Sequence, residues 1–132
     1  MTSLNVKVKV NVNEGKIMLD HEKLDVYRCA IEFLAISVKV MDSIPKGHAS
    51  LVDQLKRASW SIPLNIAEGC GKVGVADKQR FYAIARGSAM ECAAVLDVCG
   101  VRRITDPELV TEGKALLTRV VAMLTKMCVT AR

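Results

Sequence analysis

Eight polar and charged side chains recur at helical spacing in the middle of the chain, and they are the residues that could do chemistry. They are Arg57, Ser61, Asn65, Glu68, Arg80, Arg86, Ser88 and Glu91. The first four follow one another at steps of four, four and three, so they line one face of a helix. If the other four lie on a neighbouring helix, the set can form a partly buried polar network. Such a network must be complete, because removing one partner of a buried ion pair costs about 3–5 kcal/mol.

The residues alone leave three interpretations of this polar set open: a structural network, a site for a ligand or partner, or a catalytic site. Catalysis would rest on Glu68 and Glu91, since paired carboxylates can do acid–base work. However, the region has no histidine, and the sequence has neither a nucleotide-binding loop nor the Glu-x-x-His pairs of di-iron bundles. We therefore expect a structural network, no enzymatic activity and no cofactor, and we expect loss of Asn65 or Glu68 to weaken folding or assembly.

Metal binding is not indicated by the cysteines and histidines. The five cysteines are scattered without a C-x-x-C pair, and only His21 and His48 could join them as ligands. The cysteines are Cys29, Cys70, Cys92, Cys99 and Cys128. This pattern fits a reducing compartment, and the sequence contains neither a signal-peptide pattern nor an apolar run of membrane length. We therefore expect a cytoplasmic protein with no membrane partner.

The composition favours one folded domain with an aliphatic core. The chain has 132 residues, of which 51% are hydrophobic but only 4% aromatic. Such a core suits helix-on-helix packing, whereas so few rings do not suit a base-stacking surface. The formal net charge of +5 permits an anionic partner without demonstrating one.

The first 19 residues differ from the rest in their pattern. Four valines alternate strictly with polar residues, which is the period of a half-buried strand: Val6, Val8, Val10 and Val12. Residues 13–16 offer turn chemistry, and residues 17–19 could form a returning strand. A lone hairpin is marginally stable, so this arm must pack on something. It packs either on its own bundle or on another subunit or partner.

Four helices are predicted after this arm. Helix 1 is expected from about Glu22 to Asp42, with Asp20 or His21 near its cap. Helix 2 follows from about His48 to Gly69. Helix 3 opens at Asp77, or just ahead of it, and reaches about Cys99, where Gly100 ends it. Helix 4 opens at 105–108, a cap followed by proline, and runs to near the C-terminus. The short loops predict an all-α, antiparallel up-down-up-down four-helix bundle over residues 20–132, preceded by a β-like arm at 1–19.

Helix 1 carries two apolar stripes. The first is predicted to be the bundle seam and comprises Leu24, Tyr27, Ile31, Leu34, Val38 and Met41. The second comprises Val26, Ala30, Phe33 and Val40. Two apolar faces exceed what one helix of a monomeric bundle needs, which indicates self-association.

The other helices each show one predicted core stripe. In helix 2 it comprises Leu51, Leu55, Ala58, Ile62 and Ile66, beside Pro63, which costs a backbone hydrogen bond. In helix 3 it comprises Phe81, Ile84, Ala85, Ser88, Cys92, Val95 and Cys99. In helix 4 it comprises Leu109, Gly113, Leu116, Val120, Met123, Leu124 and Met127. Gly87 lowers helix propensity in mid-helix, so we expect a close helix crossing there.

Two segments of helices 2 and 3 resemble a known bacterial family. The segment S-I-P-x-N-I-A-E-G spans residues 61–69, and the segment F-x-x-I-A-x-G-S spans residues 81–88, followed by Glu91. This pair is similar to the hallmark of the four helix bundle protein family, also called the 23S rRNA intervening-sequence protein or S23 family. The resemblance covers roughly residues 24–127, and the valine-rich arm departs from the family pattern.

The resemblance implies a four-helix up-down bundle that assembles into a ring-like homopentamer. It implies no known activity and brings no catalytic residues. RNA association is the usual suggestion for the family, because its members were first noticed inside intervening sequences of 23S rRNA genes. A distant branch comprises accessory proteins of diversity-generating retroelements, which bind nucleic acid and a reverse transcriptase. A shared fold does not carry their function to this chain.

Two functions from different classes follow. In the first, the protein is a basic oligomeric ring that contacts rRNA or another structured RNA. The candidate contacts near loops and helix ends are Lys72, Lys78, Arg102, Arg103, Lys114, Arg119 and Lys126. In the second, it is a structural or protein-binding module, and these basic groups are ordinary solvated helix faces. Salt separates the two, because phosphate contacts weaken steeply as salt rises whereas apolar assembly does not.

Overall fold

The computed structural model describes residues 18–131, and every regular element in this range is a helix. A 3-10 turn at Asp20–Lys23 precedes α1 (Asp25–Ser43), α2 (Ala49–Cys70), α3 (Val75–Arg102) and α4 (Pro107–Thr130). No strand occurs in this range, so the four predicted helices are confirmed. The predicted arm lies almost entirely outside the described residues and stays a prediction.

The predicted capping residue is confirmed at the start of α4 but not at the start of α1. Asp106 caps α4 through its side chain, which accepts a hydrogen bond of 2.9 Å from the backbone N–H of Glu108, and Pro107 occupies the first turn. The predicted cap of α1 was wrong. Asp20 and His21 belong to the preceding 3-10 turn, and extended Leu24 stands at the N-cap position without a side-chain cap.

The predicted end of α3 at Gly100 was also wrong. The helix continues to Arg102 and stops at Arg103, which adopts the left-handed conformation with φ of 55°. The Ile104 N–H then donates to the Cys99 carbonyl at 3.2 Å, a bond typical of helix C-termini that end in a left-handed residue. Ile104 packs against the core beyond this turn. Apolar anchoring of the next residue therefore fixes the stop, and the glycine does not.

The core lies between the four helices, because α1 contacts α2 and α4, and α3 contacts the same two helices. In α2 the predicted stripe is confirmed, with Leu51 half-buried and the other members buried. In α4 most of the predicted residues are buried, and Leu117 joins them, while Leu116, Met123 and Met127 pack at the edge.

The prediction for α1 assigned its two apolar stripes the wrong way round. The second stripe is buried, together with Cys29, Ile36 and Ser37. The predicted seam is half-buried, and its member Val38 is exposed. The reason lies in α4: a Cβ built on Gly113 would lie 3.4 Å from both Phe33 and Ile36. The missing side chain of Gly113 thus lets the second stripe approach closely.

The predicted core stripe of α3 is correct in part. Ala85, Cys92, Val95 and Cys99 are buried, but Phe81 and Ser88 are half-buried and Ile84 is exposed. Their places in the core are taken by Tyr82, Ala89 and Leu96. Because α3 packs against both α2 and α4, its buried face is wider than one stripe.

The close helix approach expected at Gly87 is found at other glycines. Gly87 is exposed, and a Cβ there would meet nothing within 4 Å. A Cβ on Gly69, in contrast, would lie 2.8 Å from the Tyr82 ring, and one on Gly113 would lie 2.8 Å from Leu96. These two glycines therefore mark the tight contacts inside the chain.

Alanine substitutions at Gly69 and Gly87 should have opposite effects on stability. Gly69→Ala overpacks a rigid ring and should destabilise the fold by about 1–3 kcal/mol. Gly87→Ala meets open space and should stabilise the isolated chain by up to about 1 kcal/mol through helix propensity. Urea unfolding at low protein concentration measures both changes. A destabilised Gly87→Ala variant would contradict the open environment of that residue.

Candidate functional site

The centre of the predicted polar network is a small hydrogen-bonded cluster between α2 and α3. The Ser88 hydroxyl donates to the Ser61 hydroxyl at 2.7 Å. The Asn65 side-chain amide donates to the Ser61 hydroxyl at 2.9 Å and to the Ser61 carbonyl at 2.8 Å. All three residues are half-buried. The cluster joins the two helices and gives hydrogen-bond partners to polar groups that helix packing would otherwise leave unsatisfied.

Arg57 and Glu91 border this cluster. They line a shallow cavity of about 210 Å³ together with Ser61, Ser88 and Gln54. Both charged residues are exposed, so water screens any interaction between them. Five of the eight predicted residues thus surround one place on the α2–α3 surface.

The remaining three residues lie elsewhere, so the prediction of a single network of eight was wrong. Glu68 is exposed and pairs with Lys72 at 3.1 Å, one helical turn along. Arg80 pairs with Asp77 at 3.6 Å, and its guanidinium lies 4.3 Å from the centre of the Phe81 ring. These contacts are local to the helix ends.

Arg86 is excluded from the cluster by the rotation of α3. It lies two residues before Ser88, about 200° around the helix, and so faces α4. There its Nε donates to the Thr125 hydroxyl at 2.7 Å. Spacing along the sequence placed side chains on faces correctly but did not show which neighbour each face meets.

The two carboxylates of the catalytic interpretation are not brought together. Glu68 contacts Lys72 near the end of α2, whereas Glu91 lines the cavity beside Ser61 and Ser88. No group of three or more His, Cys, Asp or Glu residues in the described range could hold a metal ion.

The predicted nucleic-acid contacts are spread over the molecule, and three of the seven side chains already form ion pairs or hydrogen bonds within the chain. Lys72 pairs with Glu68 and lies 5.2 Å from the Phe81 ring centre, and Lys78 donates to the Cys70 carbonyl at 2.9 Å. Lys114 pairs with Asp97.

The other four predicted contacts are exposed on α4 or at the end of α3: Arg102, Arg103, Arg119 and Lys126. They could turn towards a phosphate without giving up an ion pair or a helix-capping bond that the described structure shows. Lys72 lies just before α3 and Lys78 in its first turn, whereas Arg102 and Arg103 lie at its end. A helix of 28 residues separates these ends by about 42 Å.

The buried cysteines are structural residues. Burial raises the pKa of the Cys92 thiol to about 12, and burial also raises the pKa values of Cys29 and Cys99. These thiols are protonated at neutral pH and are therefore poor nucleophiles and poor metal ligands.

Glu112 on α4 is an acidic group in an unfavourable place. Its Oε2 atom is buried and has no hydrogen-bond partner within the described residues. Desolvation raises the pKa of its carboxyl; Lys39 opposes this shift, and the carboxylates of Glu108 and Glu32 add to it. A raised pKa means that the charged form costs stability in the folded state.

One surface was missed by the sequence analysis. An apolar groove of about 410 Å³ lies between α1 and α2, and we call it the α1–α2 groove. It is lined by His21, Tyr27, Ile31, Leu34, Trp60, Pro63, Leu64 and Ala67. Three of its α1 residues belong to the stripe that was predicted to be the seam. Trp60, Leu64 and Ala67 at steps of four and three were the signal that could have revealed the opposite wall.

The comparison with protein families identifies the chain. The 23S rRNA-intervening sequence protein family matches residues 22–126, so the chain belongs to that family, as its two hallmark segments indicated. No curated protein matches the chain. Among the described residues, no helix combines the length and apolarity needed to cross a membrane.

The structure explains why the two hallmark segments occur together. Ser61 of the first bonds Ser88 of the second, and Gly69, the last residue of the first, packs against Tyr82 and Phe81 of the second. The hallmark is therefore a description of the α2–α3 contact.

Asn65→Ala should cost more stability than Glu68→Ala, although the sequence pattern treated them alike. The first change removes two hydrogen bonds at a half-buried contact, worth about 1 kcal/mol. The second removes an exposed pair one turn apart, worth about 0.3–0.5 kcal/mol. Urea unfolding of both variants gives the comparison. Equal losses would show that the hydroxyl–amide cluster does not stabilise the contact.

Glu112→Gln should stabilise the protein at neutral pH, by about 0.5 kcal/mol. A carboxyl whose folded-state pKa is raised binds its proton more tightly when folded, so stability falls as pH rises through that pKa. The variant's advantage should therefore be present at pH 7 and disappear in acid, where the wild-type carboxyl is protonated. Thermal melts across pH measure this, with Asp53→Asn at an exposed position of α2 as control. An advantage independent of pH would contradict the assignment.

Proposed function

We propose that the protein is a non-enzymatic, oligomeric helical scaffold that associates with structured RNA through a basic surface. The observation that carries the proposal is the family match over residues 22–126, since the family's description refers to the intervening sequence of 23S rRNA. The net charge of +5 supports it, because phosphate neutralisation drives most non-specific nucleic-acid binding.

The finer architecture within this proposal is an antiparallel up-down-up-down bundle. Contacts that run in opposite order along paired helices support it. Along α2 and α3, Ser61 meets Ser88 while the later Gly69 meets the earlier Tyr82. Along α3 and α4, Arg86 bonds Thr125 while Asp97 pairs with Lys114.

Assembly into a ring-like homopentamer, as the family resemblance implies, is the second part of the proposal. Apolar side chains left on the surface of two separate faces support assembly, because large exposed apolar patches usually mark interaction sites. In a pentamer the charge would rise to roughly +25, which strengthens salt-dependent binding to phosphates.

The RNA-contacting groups in this proposal are the basic side chains that the fold leaves uncommitted, at the end of α3 and along α4. Arg102 and Arg103 stand side by side there, and both are exposed. Recognition would be of backbone or duplex shape, since the chain has few aromatic rings on which bases could stack. The exposed Trp60 already has Lys56 above its ring, at 5.0 Å from the centre.

A protein-binding module without RNA is the second candidate, and the α1–α2 groove favours it. A groove of apolar and aromatic residues suits a helix or strand of another protein better than a phosphate. The two candidates differ in one measurable property: the first predicts that the protein binds RNA at low salt concentration, and the second predicts that it does not.

Charge reversal at the end of α3 should weaken RNA binding. We expect Arg102→Glu combined with Arg103→Glu to leave the bundle folded and to lower affinity for a structured 23S rRNA fragment. The slope of log affinity against log salt should become shallower by about 1 for each lost contact. Fluorescence anisotropy over a salt series measures both.

The matched control is Lys23→Glu combined with Arg28→Glu, which changes the net charge equally but at two residues already paired with Asp20 and Asp25. Equal losses in both double variants would mean that only overall charge matters. Wild-type protein that ignores RNA at every salt concentration would contradict the RNA function and leave the protein-binding module.

A further inference from the structure

A stripe on the outward face of α3 remains uncovered in the single chain. We call it the α3 ridge, and its residues follow at steps of three and four: Ile84, Gly87, Glu91, Ala94, Val98 and Val101. All six are exposed, including Val98 at 46% and Val101 at 82%. Glu91 is its only charged member. A helix that is apolar on its outer as well as its inner face is normally covered on both.

The α1–α2 groove is the second uncovered apolar surface, on other helices. Leu64 is exposed by 66% and Trp60 by 47%, although both line the groove. His21 is the only titratable side chain among the lining residues apart from Tyr27, and no Asp, Glu, Lys or Arg lines the groove. The groove has the character of a site for an apolar helix face.

From these two surfaces we infer a head-to-tail interface, in which the α3 ridge of one copy of this chain packs into the α1–α2 groove of the next copy. The inference rests on the oligomeric assembly proposed above and names its contact surfaces. Gly87 and Ala94 leave the ridge low enough for close approach, since a Cβ on Gly87 would meet nothing within the chain. The close crossing expected at Gly87 from the sequence would then lie between copies.

Charge supports a second copy as the occupant. Glu91 is the one acidic group on the ridge, and Lys56 lies over Trp60 at the edge of the groove. Packing the ridge into the groove places Glu91 against a surface edged by Lys56, whereas groove against groove would bring two Lys56 side chains together, so charge favours the first pairing.

The use of two different surfaces has a consequence for symmetry. A contact between unlike surfaces leaves one free surface on each end of a pair, so further copies can add, giving a ring where the rotation between neighbours closes and a filament where it does not. A contact between like surfaces would stop at two copies.

Complementary variants test the interface. Leu64→Arg places a charge in the groove and Val98→Arg places one on the ridge, both at positions exposed in the single chain. We expect each variant alone to have the mass of one chain by light scattering, at concentrations where wild type is assembled. Mixing the two should give a species of two chains and nothing larger, because one intact groove meets one intact ridge.

Val129→Arg is the matched control, with the same added charge on an α4 residue that is 76% exposed and outside both surfaces. It should assemble like wild type. Circular dichroism melts check folding, and Trp60→Arg with Val101→Arg provides a second pair if one variant fails to fold.

The outcomes separate the interface from the proposed function. If wild type assembles and either arginine variant keeps the wild-type mass, the interface is wrong while the oligomer stands. If both variants are single chains but do not pair on mixing, the contact is not head-to-tail and the inference is overturned. If wild type is a single chain at every concentration, the proposed assembly fails and the interface fails with it.

Discussion

The packing of α2 against α3 is the contact on which the rest of the structure depends. Gly69 has no side chain, so the Tyr82 ring can lie where a Cβ would be, and about two helical turns earlier in α2 Ser61 bonds Ser88. Apolar contact fixes the distance between the helices, and the hydroxyl pair fixes their register. On its other side α3 packs against α4, where Leu96 lies at the missing side chain of Gly113.

The number and approximate bounds of the helices were predictable, because periodicity, proline and capping signals act within a few residues. The buried face of α1 was not, since two apolar stripes give the same local signal. The choice was made by Gly113 on α4, about 80 residues away, which admits Phe33 and Ile36. For the polar set, spacing identified Ser61 and Asn65 as neighbours, but the rotation of α3 decided that Ser88 meets them and Arg86 does not.

The stripe of α1 that was predicted to be the bundle seam lines a surface groove, and this position bears on assembly. Tyr27, Ile31 and Leu34 are half-buried and form one wall of the α1–α2 groove, and Tyr27 also packs against the core. A second apolar stripe costs solubility in a single chain, so its presence is explained more simply by a partner surface than by the core. The interpretation of surplus apolar surface as a signal for assembly stays a prediction, and the residues on which it rests change.

The distribution of basic groups bears on how such a scaffold would hold RNA. The two basic ends of α3 lie about 42 Å apart. A group of neighbouring phosphates on an RNA can therefore contact only a few of the exposed basic side chains of one chain. Each such contact is weak and screened by salt. A ring would place equivalent ends of several chains around one axis, and linked weak contacts multiply in affinity when one RNA reaches several of them. In this proposal, RNA binding therefore depends on assembly. The apolar surfaces hold the copies together, and the assembled copies present enough exposed arginines to bind one RNA.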